Sequence, residues 1–115
     1  MAIVRKNPLK LNKLQLRTLV LAQIIAKDPN SGKIDEATGE GTLLRVPHAH
    51  GDHVHVGQFT VSARDASGFE NPAVWVALTR KGLVKDGYPG SLVLTKEGME
   101  YDTGLGDHFL EESDH

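Results

Sequence analysis

Between Asn12 and Ala26 the apolar residues recur at helical spacing but do not keep to one stripe. Leu16, Leu19, Val20 and Ile24 fall on one side and Leu14, Leu21 and Ile25 on another, with only Gln15, Arg17, Thr18 and Gln23 interrupting the belt. Asn12, with Gln15 three places on, has the form of a capping box and predicts a helix that starts there. The breaker cluster Asp28-Pro29-Asn30-Ser31-Gly32 ends it. A helix apolar nearly all round needs cover on more than one side. In a small domain this predicts a homodimer through the first helix, with an exposed or unusually central helix as the alternative. Residues 30–42 then read as a polar, glycine-rich connection with room for a short strand at Lys33-Ile34.

The stretch Thr42 to Gly57, TLLRVPHAHGDHVHVG, carries His48, His50, His53 and His55 around Gly51-Asp52. Gly-Asp between two strand-like runs signals a two-residue hairpin turn. In that register His50 faces His53 and His48 faces His55. Alternation along the strands puts all four imidazoles on one face with Leu44 and Val46, and Arg45, Pro47, Ala49, Val54 and Val56 on the other. Imidazole ligates zinc, nickel, copper and cobalt, so the four histidines are the candidate metal ligands, with Asp52, Asp107 or His108 available to complete a site. Two plainer readings stand beside this one. In one the histidines merely decorate a solvated strand, and in the other they act as a pH switch through mutual repulsion when protonated.

From Phe59 to Val84 the pattern predicts two helices with a glycine turn: Thr60 to Ser67 stopped by Gly68, then a helix capped by Asn71, opened by Pro72 and closed at Gly82. Leu83-Val84, the turn Asp86-Gly87-Tyr88-Pro89-Gly90 and Leu92-Val93-Leu94-Thr95 follow as strand, turn and strand. Thr95 caps a last short helix over Lys96 to Tyr101. The run ALTRKGLV…GYPGSLVLTKEGMEY resembles winged helix-turn-helix proteins, in particular transcription regulators of the multiple-antibiotic-resistance type. Those share a recognition helix ending in a KGL turn and a β-hairpin wing ending in LT-x-x-G. Arg64 departs from the pattern, standing where the motif usually carries a small residue. The resemblance implies an α+β winged helix-turn-helix with an added β-hairpin between the first and second helices. Residues 1–11 would be a basic arm, 42–57 the histidine hairpin, 59–84 the helix-turn-helix, 85–95 the wing and 104–115 an acidic tail.

Charge sharpens this picture. The 115-residue chain has a net charge of −2, yet Arg5, Lys6, Lys10, Lys13, Arg17 and Lys27 precede the first acid, and no Lys or Arg follows Lys96. A basic arm neutralises phosphates, whereas an acidic tail stays solvated. The expected partner is double-stranded DNA, contacted by Asn71 at the start of the second helix and by Thr79, Arg80 and Lys81 at its end. Ser62, Arg64, Lys85, Tyr88 and the arm residues Arg5 and Lys6 would add backbone contacts. Glu70 and Pro72 supply no base-reading donor, and Trp75 reads as a core or edge aromatic.

Length and composition (39% hydrophobic, 24% charged) are those of one globular domain. The absence of cysteine excludes disulfides and thiolate sites. Thr18 and Gln23 interrupt the early apolar run, so neither a signal peptide nor a membrane span is expected, and the chain reads as cytoplasmic. His48-x-His50-x-Asp52-His53 fits the H-x-H-x-D-H signature of metallo-β-lactamase-like hydrolases, but the helical segments around it do not fit their two-sheet frame. A cupin barrel lacks its glutamate at the expected spacing, and no nucleophile triad or phosphate loop stands out. The reading is therefore a non-enzymatic DNA-binding regulator, homodimeric and metal-responsive through His48, His50, His53 and His55. A winged helix used for protein contacts comes second and a small metal-dependent enzyme third.

Overall fold

Asn12 and Gln15 form the expected capping box. The Asn12 Oδ1 accepts from the Gln15 N–H at 2.8 Å and the Gln15 Oε1 accepts from the Asn12 N–H at 3.0 Å. They open helix α1 (Lys13–Lys27), which stops at Asp28 before Pro29. The computed structural model describes residues 8–46, 52–56, 59–64, 66–88, 90–104 and 111–112.

Helix α1 is the centre of the fold. Thr18 through Gln23, with Ile25 and Ala26, are buried. Strands β1 (Gly32–Ile34), β2 (Gly41–Leu43) and β3 (His53–Val56), the 3-10 helix Ser67–Glu70, helix α2 (Pro72–Arg80) and helix α3 (Lys96–Glu100) all pack against it. Much of the cover that the apolar belt requires is thus supplied by the chain itself, as in the central-helix alternative. Burial extends even to polar positions. Thr18 donates back to the Leu14 carbonyl at 2.8 Å. Gln23 donates to the carbonyls of Gly98 (2.8 Å) and Tyr101 (3.0 Å), satisfying acceptors that the end of α3 leaves without helical partners.

With β4 (Phe59–Ser62), β5 (Val93–Leu94) and β6 (Glu111–Glu112), the strands among the described residues make two antiparallel sheets, in the orders β1-β2-β5 and β3-β4-β6. In the first, β1 and β2 form a hairpin over the polar connection, where Asp35 Oδ1 accepts from the Ala37 N–H and Gly39 N–H bonds to the Asp35 carbonyl. Strand β2 also pairs with β5 (Val93–Leu94), and Val84 bridges Leu94 on the other side. The expected strand-turn-strand after α2 is therefore present in minimal form. It is held by Lys85 N–H to Val93 O (2.8 Å) and Thr95 N–H to Leu83 O (3.0 Å).

The second sheet corrects the sequence reading. The helix expected over Thr60 to Ser67 is absent: Phe59–Ser62 is strand β4, paired to β3 with Val54 opposite Val61 and His55 opposite Thr60. What remains of the first arm of the helix-turn-helix is the one-turn 3-10 helix Ser67–Glu70. Thr60 and Val61 are β-branched and lose side-chain freedom in a helix. Burying Val61 against the same core as Val54 and Val56 needs the two-residue period of a strand. The partner of β3 is thus the segment after it. Thr42 and Leu43, assigned by the sequence reading to the histidine hairpin, pair with β5 and β1 instead. The facing of His48 and His50 with β3 lies outside the described residues. Strand β6 (Glu111–Glu112) pairs with β4 within the segment read as an acidic tail.

The core runs from α1 through Phe69, Val74, Trp75 and Leu78 to Leu83, Val84 and Leu94. Trp75 is fully buried, as a core aromatic. Its indole N–H donates to the Phe69 carbonyl at 3.1 Å, and Tyr88 stacks on it with ring centres 5.8 Å apart.

Candidate functional site

Helix α2 is built as its punctuation predicts. The Asn71 Oδ1 accepts from the Ala73 N–H at 3.0 Å, Pro72 fills the first turn and Gly82 takes a left-handed φ of 78° just past the end. Val74, Trp75 and Leu78 turn inward. The outer face holds Pro72, Ala73, Val76 and Arg80. The first two turns of α2 present no outward-facing hydrogen-bond donor for base edges, and Asn71 ahead of them commits its Oδ1 to the cap. Thr79 donates back to the Trp75 carbonyl at 2.8 Å.

The candidate DNA contacts separate into groups. Arg80 and Lys81 are exposed at the C-terminal end of α2. Lys81 Nζ donates to the Leu9 carbonyl at 2.7 Å, and the Leu9 N–H bonds the Tyr101 hydroxyl at 3.3 Å. The segment leading out of the basic arm is thereby tied to the basic end of α2. Lys10, with left-handed backbone (φ 56°), and Lys13 follow it, both exposed. Lys85 turns elsewhere, pairing with Glu40 at 3.3 Å. Tyr88 is half-buried on Trp75 and does not extend as a free wing contact. Ser62 and Arg64 lie at the end of β4 and in the following turn, not on a helix. Arg5 and Lys6 lie outside the described residues. The Lys81–Leu9 link had no local signal in the sequence, because it joins positions 72 residues apart.

The histidine stretch divides similarly. His48 and His50 lie outside the described residues. His53 and His55 sit two apart on β3, on the face opposite the buried Val54 and Val56. Their rings meet edge to face with centres 5.0 Å apart. The Asp52 carboxylate stands 3.6 Å from His53 Nδ1. The Ala63 N–H to Asp52 carbonyl bond (2.9 Å) carries the β3–β4 ladder one step further. Among the described residues no three or more His, Asp or Glu side chains gather to hold a metal. Nor is any helix among them long and apolar enough to cross a membrane.

Set against known proteins, the chain matches no family model, no curated protein and no solved structure.

Proposed function

We propose that this chain is a small, non-catalytic, cytoplasmic DNA-binding regulator of winged-helix plan that grips duplex DNA mainly through its phosphates. The observation that carries the reading is the Lys81–Leu9 hydrogen bond, which joins the basic arm to the basic end of α2. Lys10, Lys13, Arg80 and Lys81 belong to two runs, 8–27 and 71–85, whose only charges are positive, and Arg5 and Lys6 precede them. Such a group neutralises phosphates and releases counterions. Strand order adds support: β2, which follows α1, pairs with the return strand of the hairpin that follows α2. That is the connection a winged helix makes. With Pro72, Ala73 and Val76 on the outer face of α2, binding has little direct base readout and falls in the non-specific range, roughly 10⁻⁴–10⁻⁶ M at physiological salt.

Titration of a fluorescent random duplex at several salt concentrations tests the proposal. The expected log–log slope is about −0.9 for each phosphate neutralised, and Arg80→Ala or Lys13→Ala should each reduce its magnitude by about 1. A chain that ignores duplex even at low salt ends the proposal. That outcome favours a second reading, contact with another protein, for which the specific observation is the apolar outer face of α2, where Val76 is 47% exposed.

A further inference from the structure

The geometry points to a two-imidazole site for a late first-row divalent metal ion, formed by His53 and His55. Neighbouring strand positions of one parity share a face, and here the face is pinned: Val54 (3% exposed) and Val56 (fully buried) anchor the other side of β3 in the core. The histidines therefore cannot rotate inward without a register slip that would expose both valines. Their ring centres are 5.0 Å apart. A metal sits about 2.0–2.1 Å from an imidazole nitrogen, hence about 3.2 Å from the ring centre. Two rings on one ion, at angles from about 90° to tetrahedral, thus have centres about 4.5–5.2 Å apart. The observed separation falls in that range, so ring rotations, with no backbone change, convert the edge-to-face pair into a chelate.

Asp52 adds a second feature. Its carboxylate stands 3.6 Å from His53 Nδ1, beyond hydrogen-bond distance, and places negative charge beside the pair, which favours a bound cation. Imidazole donors select copper, nickel and zinc over magnesium and calcium. A site built on two protein nitrogens suits reversible uptake better than permanent structure.

The test is a titration of the full chain with Zn²⁺ in the absence of DNA, followed by amide chemical shifts and calorimetry. One ion per chain is expected, with shifts centred on β3. His53→Gln and His55→Gln should each weaken uptake at least tenfold, and the double variant should abolish it while unfolding at the wild-type denaturant midpoint. Asp52→Asn should weaken it severalfold. No uptake by the wild-type chain overturns the assignment, as does uptake that persists in the double variant. The readout is metal binding alone, so its outcome is separate from that of the duplex titration.

Discussion

Gly98 shows how one position carries two opposed pressures. It lies inside α3, where alanine is favoured over glycine by about 1 kcal/mol on helix propensity alone. A methyl group there would overlap the Leu83 carbonyl oxygen, a backbone atom that cannot step aside. Overpacking of this kind costs about 1–3 kcal/mol or more, so steric conflict wins. Gly98→Ala is expected to destabilise the chain by about 2 kcal/mol, read as a lower denaturant midpoint at unchanged slope. Lys81 is a second residue with two pressures on it. Its charge belongs to the basic group, but its ammonium is engaged with the Leu9 carbonyl. Arg80→Ala is therefore the cleaner probe of phosphate contact, because Lys81→Ala also releases the segment that leads into the basic arm.

At the scale of the element, caps and breakers were legible and the identity of one short element was not. The Asn12–Gln15 box, the Asn71–Pro72 start of α2, its Gly82 stop and the Thr95 cap of α3 all depend on residues within a turn of one another. Asn71 now has a structural duty, which leads to an expectation. Asn71→Ala should cost about 1 kcal/mol of stability, whereas Asn71→Ser, which keeps the cap, should be close to wild type in both stability and duplex affinity. A large loss of duplex affinity in the serine variant would restore Asn71 as a DNA contact. The helix expected over Thr60 to Ser67 gives way to a strand over Phe59–Ser62, because so short a stretch holds too little periodicity to separate three-and-a-half from two. The decision came from Val54, Val56 and Val61 meeting across a ladder onto the same core. The histidine face shared this fate in part: alternation correctly put His53 and His55 opposite Val54 and Val56, yet the pairing partner of β3 is β4.

For the whole molecule, the enclosure of α1 has a thermodynamic consequence. Its belt of Leu19, Val20, Leu21, Ala22 and Ile25 is covered from several sides within one chain. Folding of this helix then needs no second copy, and the midpoint of equilibrium unfolding should not move over a hundredfold range of protein concentration. A midpoint that rises with concentration would reveal stabilisation by association. Within the chain, β3 packs against α1, which joins the face opposite His53 and His55 to the centre of the fold.

The sequence by itself determined the features that act over short distances: where α1, α2 and α3 begin and end, the turn between Val84 and Leu94, the polar hairpin connection and the outward parity of His53 and His55. Each follows from caps, breakers or alternation, whose energetics involve residues a few places apart. Tertiary structure alone decided that β4 is a strand, that α1 is enclosed by its own chain, and that Lys81 meets Leu9 across 72 residues. Those outcomes depend on which surfaces are left to be buried once the local elements exist. An all-round apolar helix states only that it must be covered, and the cover is chosen by the elements that fold against it.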